Sequence, residues 1–120
     1  MPVIINKPSV IKSAGNKEKI IQEYFGTVNS GNEDVSIAIM KSPGGWLEPG
    51  QKPEFGEYTI VLKGVLHLKT VDEEFDIKAG QAVLLKKDEW VQYSTPDPEG
   101  ANYVSVCIPA FTPEKVHRDD

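Results

Sequence analysis

Short runs of alternating apolar and polar residues, cut by glycine and proline, set the pattern of this chain. Side chains on a strand alternate between two faces, so a period of two marks a half-buried strand. Val35-Ser36-Ile37-Ala38-Ile39-Met40 has that period, as do Glu57-Tyr58-Thr59-Ile60-Val61-Leu62 and, beyond Gly64, Val65-Leu66-His67-Leu68-Lys69. Val71-Asp72-Glu73-Glu74 reads as a hairpin tip with Phe75-Asp76-Ile77 returning. Ala79-Gly80 turns the chain into Ala82-Val83-Leu84-Leu85, and Trp90-Val91-Gln92-Tyr93 follows. Pro96-Asp97-Pro98-Glu99-Gly100 is a loop, and Tyr103-Val104-Ser105-Val106-Cys107-Ile108 closes the series. The one helical candidate lies near Asn16 to Gln22, where the β-branched and aromatic residues that follow favour a strand instead. Seven or more strands spaced by roughly 8–12 residues predict an all-β sandwich or barrel.

The two faces of these strands differ in chemistry. Tyr58, Ile60 and Leu62 form one face, and Val104, Val106 and Ile108 form another; these are apolar and are expected to pack on a second layer or a subunit. Glu57, Thr59 and Val61, and Tyr103, Ser105 and Cys107, form mixed faces. Such faces either line a cavity for a polar ligand or meet water.

Composition narrows the partners. The 120 residues are enough for one domain over 1–120, with residues 1–15 and 112–120 expected to be peripheral. Thirteen basic residues against eighteen acidic ones give a net charge of −5, with a single arginine, Arg118. Nucleic acid and anionic membrane surfaces are therefore poor partners, and a small molecule remains by elimination. No GxxxxGK[ST] or GxGxxG loop is present to cradle a phosphate. No apolar run is long enough for a transmembrane helix, and the start lacks a signal-peptide core. The lone cysteine, Cys107, cannot close an internal disulfide, which agrees with an expected cytoplasmic location.

The stretch from Pro43 to Tyr93 resembles the cupin superfamily. The first cupin motif places two histidines, a glutamate and a glycine after an initial glycine, and its spacing is met by Gly45, Glu57 and Gly64. The second motif fits from Gly80, fifteen residues beyond Gly64. The resemblance implies a small jelly-roll β-barrel and a homodimer. It also implies a departure: Gln51, Pro53 and Val91 stand where the family has its three metal-binding histidines, and only Glu57 remains of the ligand set. In the second motif Lys86, Asp88 and Thr95 stand at the proline, glycine and asparagine. Proline and valine offer no ligand atom, and transition metals favour imidazole or thiolate, so no metal cofactor is expected at the usual site.

The segment Trp46 to Glu57 is the most unusual in chemistry. Glu48, Glu54 and Glu57 put three carboxylates in ten residues, which leaves open a rebuilt site for a divalent cation such as Mg²⁺ or Ca²⁺. Pro43, Pro49 and Pro53 stiffen it, and Trp46 is either a plug for the barrel or a flat surface for a cyclic ligand. Glu57 inside an apolar barrel would have its pKa raised by desolvation and would suit general acid–base work. The candidate catalytic set is Glu57, Glu48 and Tyr93; the candidate ligand contacts are Trp46, Gln51, Glu54, Tyr103 and Cys107. A lone strand cysteine is also an ordinary small core residue. His67 and His117 have no placed partner and are read as exposed or locally satisfied. The expected chemistry is metal-independent isomerisation, epimerisation, dehydration or cyclisation of a small molecule such as a sugar or carboxylic acid. The alternatives are a module that only binds such a ligand and a metalloprotein with a carboxylate site.

Overall fold

One strand organises the whole molecule. In the computed structural model, which describes residues 1–120, β5 (Gly56–Thr70) runs for 15 residues through both layers of an antiparallel jelly-roll-like barrel. Its first half pairs with β9 (Ala101–Ile108) and β7 (Ala82–Leu85), and its second half pairs with β8 (Val91–Thr95) and β6 (Glu74–Lys78). The sequence pattern shows two strands here, broken at Gly64. The chain instead stays extended and bends, with a register shift against β9 between Val61 and Lys63. Gly64 has φ +77°, and a Cβ there would lie 2.1 Å from the Gly100 carbonyl oxygen. Only glycine allows that approach, so the bend that hands β5 from one sheet to the other depends on it.

The larger sheet continues outward from β9 through β3 (Ser36–Ser42) and β2 (Ile20–Phe25) to β1 (Ser9–Ile11). The smaller sheet ends at β4 (Trp46–Leu47), which pairs with β8. The region near Asn16 to Gln22 resolves in favour of a strand, because Ile20 to Phe25 carries the β-branched and aromatic residues and pairs along β3. The first fifteen residues are not all loose drape: β1 adds an edge strand to β2. The tail after Thr112 also docks. Its one-turn helix α1 (Pro113–Val116) buries Val116 in a cluster with Phe55 and Cys107, and Phe111 packs edge-on against Phe55 at 5.8 Å. Backbone hydrogen bonds from Lys52 to His117, Glu54 to Lys115 and Asp119 to Gly50 sew the tail along the 50–54 segment.

The core sits between the sheets. Trp46, Val61, Leu66, Leu68, Leu85, Val91, Tyr93 and Tyr103 are its main members. The alternation along β9 puts Tyr103, Ser105 and Cys107 inside, as it puts Thr59 and Val61 inside on β5. The opposite faces look outward: Tyr58, Ile60, Leu62, Leu84 and Ile108 are exposed. No helix is long and apolar enough to cross a membrane.

Candidate functional site

The mixed strand faces line a cavity of about 80 Å³ that opens to solvent. The larger sheet supplies one wall, with Ser36, Ala38 and Met40 from β3, Tyr103, Ser105 and Cys107 from β9, and Glu57 from β5. Glu48, Gln51 and Phe55 close the opposite side with Tyr93 of β8. Ile21 and Glu23 of β2, with Lys19 just before that strand, border it, and Phe111 and Arg118 reach it from the tail.

Lys19 is the group that sequence reasoning missed. Its Nζ donates to the Tyr103 hydroxyl at 3.1 Å and stands 4.0 Å from the centre of the Trp46 ring. Tyr103 in turn shares a buried hydrogen bond with Ser42 at 2.9 Å. Burial alone would pull the Lys19 pKa down, but Tyr103, Glu48 and Glu57 facing it leave it above the ordinary lysine value. The cavity therefore holds a permanent cation. In sequence Lys19 ends the polar run Asn16-Lys17-Glu18, where a charge reads as solvated; only the packing of distant Trp46 and Tyr103 around it reveals its place.

Two carboxyls face that cation. Burial pushes the Glu57 carboxyl above its usual range, with Lys19 and then the Ser105 and Tyr93 hydroxyls opposing the rise. Burial likewise pushes Glu48 up to about 7; Lys19 opposes this, Glu57 adds to it, and Arg118 opposes it again. Tyr93 is held well above its ordinary value by burial and by the two glutamates, so it remains a hydrogen-bond donor. Burial, reinforced by Glu57, pushes the Cys107 thiol far up as well, which makes it a poor nucleophile. Two polar atoms of this wall are buried with no hydrogen-bond partner: the Gln51 Oε1 and the Tyr93 hydroxyl.

The fold thus gathers Glu57, Glu48, Tyr93, Gln51, Tyr103 and Cys107 on one cavity. It separates two residues expected there. Trp46 is completely buried in the core, its Nε1 donating to the Ala14 carbonyl, because β4 turns its ring under Lys19 and away from the open space. Glu54 points outward and pairs with His117, because its neighbour Phe55 takes the inward position. The three carboxylates of the 48–57 segment therefore do not converge. His67 is likewise engaged on the outside, bonding Asp76 at 2.7 Å and Glu74 at 2.9 Å on the β5–β6 hairpin.

The barrel, the long β5 and the two glycine-anchored motifs define a protein of the cupin fold. Solved structures agree. The chain matches the polyketide cyclase RemF of Streptomyces resistomycificus with a TM-score of 0.75 and 17% identity, over 100% of this chain and 85% of that one. It matches a predicted oxalate decarboxylase of Thermotoga maritima at 0.74 and 18%, over 91% and 99%. It matches the Cnp3 cupin domain of Schizosaccharomyces pombe at 0.66 and 10%, over 76% and 61%. No family profile matches the chain. Among curated proteins it is 38% identical over 101 residues to endoribonuclease YbeY of Myxococcus xanthus (strain DK1622), covering 84% of this chain and 34% of that protein. The chain thus spans about a third of the length of the curated relative it matches.

A metal is the cofactor the fold brings to mind, and the residues present do not fit one. The positions of the cupin ligands hold Gln51, Pro53, Glu57 and Val91, which leave a single charged donor, and the cavity presents no set of three His, Cys, Asp or Glu side chains able to hold a metal ion. The Lys19 ammonium already supplies positive charge opposite Glu57 and Glu48.

Proposed function

We propose that this cavity transfers protons on a small organic molecule without a metal, with Glu57 as the acid–base group. The observation that carries the reading is a half-buried carboxyl with a raised pKa facing a lysine ammonium in a cavity that opens to solvent. A base works best when its pKa lies near the working pH, and desolvation moves a carboxyl in that direction. Lys19 and Tyr93 offer N–H and O–H donors where negative charge would develop on a substrate oxygen. Isomerisation, epimerisation, dehydration and cyclisation all begin with such a proton removal. A cyclase and a predicted decarboxylase among the structural neighbours, both so named, are in keeping with small-molecule chemistry on this fold. The endoribonuclease name of the curated relative belongs to a protein two-thirds of which lies outside the match. The net charge of −5 and the single arginine argue against RNA as the substrate here.

The test is proton exchange. Small ketones, sugars and hydroxy acids are incubated with the protein in deuterated buffer, and loss of the proton beside the carbonyl is followed by NMR. Glu57→Gln should slow exchange by about 100-fold or more while leaving the fold intact by circular dichroism. The rate should climb with pH through the raised Glu57 pKa, because the ionised form is the base. Undiminished exchange in Glu57→Gln would refute the assignment. Binding of the same compounds without exchange by the unaltered protein would make the cavity a plain binding site.

A further inference from the structure

The two unpartnered atoms on the cavity wall say what kind of molecule fits it. Gln51 is 4% exposed and Tyr93 5%; the Gln51 Oε1 has no partner, and the Tyr93 hydroxyl faces the Glu57 carboxyl without closing a hydrogen bond to the protein. A buried polar atom without a partner is costly, so a pair of them on one cavity wall marks places where a ligand completes the bonding. Gln51 bridges to Val91 across the sheet, and Tyr93 lies two residues further along the same face of β8. Diagonal neighbours of this kind are about 7–8 Å apart at the backbone, a span that one small molecule covers.

The chemistry of the atoms is directional. An amide oxygen only accepts, so the ligand must bring a hydroxyl or N–H to Gln51. Tyr93 keeps its proton and Lys19 keeps its charge, so both offer donors to a carbonyl oxygen. Building on the proton-transfer reading above, we infer that the substrate is a hydroxy-carbonyl compound whose hydroxyl donates to Gln51 Oε1 and whose carbonyl oxygen accepts from Tyr93 and Lys19. In the step that follows, the Glu57 carboxylate takes the proton from the carbon beside the carbonyl. The electron pair of that C–H bond becomes the C=C bond, and the carbonyl π pair moves onto oxygen. Lys19 and Tyr93 hold that oxyanion through hydrogen bonds. After Glu57 trades its proton with solvent, return of a proton from Glu57 to the same face of the same carbon gives exchange with retention, with no oxidant or reductant involved.

Three matched probes test this: 2-hydroxycyclohexanone, cyclohexanone and cyclohexanol. Affinity is measured by NMR titration and exchange by deuterium uptake. The hydroxyketone should bind about tenfold more tightly than either partner compound. Gln51→Leu should bring its affinity down to that of cyclohexanone, and Tyr93→Phe, which keeps the ring and its packing, should bring it down to that of cyclohexanol. Lys19→Met should slow exchange more than it weakens binding. Equal affinity for the three probes, or an undiminished preference for the hydroxyketone in both Gln51→Leu and Tyr93→Phe, overturns the inference. Discrimination without exchange supports the ligand class and refutes the proton-transfer reading. Equal exchange of both ketones, with and without Gln51→Leu, does the reverse.

Discussion

Replacing Glu48 by glutamine should stabilise the protein at neutral and alkaline pH and leave it unchanged below about pH 4.5. Glutamine mimics the protonated carboxyl in shape and keeps the site neutral. The carboxyl of Glu48 moves from 4.5 to about 7 on folding, mainly because burial strips its water. At about 1.4 kcal/mol for each tenfold change, the ionised form is roughly 3 kcal/mol costlier in the folded state than in the unfolded one. The folded chain binds the proton more tightly, so the contribution of Glu48 is fully favourable below pH 4.5 and is lost as pH rises toward 7. The groups that face it are Lys19 and Arg118, which offset part of the cost, and Glu57, which adds to it. Urea unfolding of both proteins at about pH 4 and about pH 9 measures the difference. Near equality is expected at the acid end. At the alkaline end the variant should be about 3 kcal/mol more stable, or melt about 10 °C higher. A variant that is weaker at alkaline pH would show that pairing with Lys19 and Arg118 outweighs desolvation, and the reasoning would fail.

Three other outcomes follow from the packing. Gly64→Ala puts a methyl group against the Gly100 carbonyl at φ +77° and should cost at least about 2 kcal/mol, or prevent folding, as judged by denaturation. Tyr103→Phe leaves Ser42 and Lys19 without their shared hydroxyl and should cost about 1–3 kcal/mol in urea, with the sheet retained by circular dichroism. Val116→Ala opens the cluster over Phe55 and Cys107, so it should cost about 1–3 kcal/mol and speed labelling of the Cys107 thiol by a disulfide reagent. A labelling rate unchanged in that variant would show that the tail does not shield the thiol.

The alternation along β5 and β9 made the inner and outer faces legible, since period two is a local property and needs no knowledge of neighbours. The motif spacing led to Glu57 for a similar reason: glycines at the two bends fix where the glutamate falls. What stayed hidden was the result of distant packing. Trp46 looked like a ligand surface because loop aromatics often are, but the Ala14 carbonyl takes its N–H and the Lys19 ammonium covers a face of its ring. Glu54 looked equivalent to Glu48 and Glu57, yet the docking of the tail gives it His117 and turns it outward. Lys19 belongs to no motif that singles it out. Its burial depends on β4 and β9, which lie far along the chain, and no window around residue 19 contains that information.

β9 lies between β3 and β5, pairing Ser36 with Cys107 on one side and Glu57 with Cys107 on the other. Both of those earlier strands therefore wait for it with bare edges while the chain is being made. Exposed edges of this kind recruit other chains, and distant pairings form slowly. The period of greatest danger to the newborn molecule is thus the interval before β9 emerges. A single late strand then seals two edges and completes the cavity wall in one event.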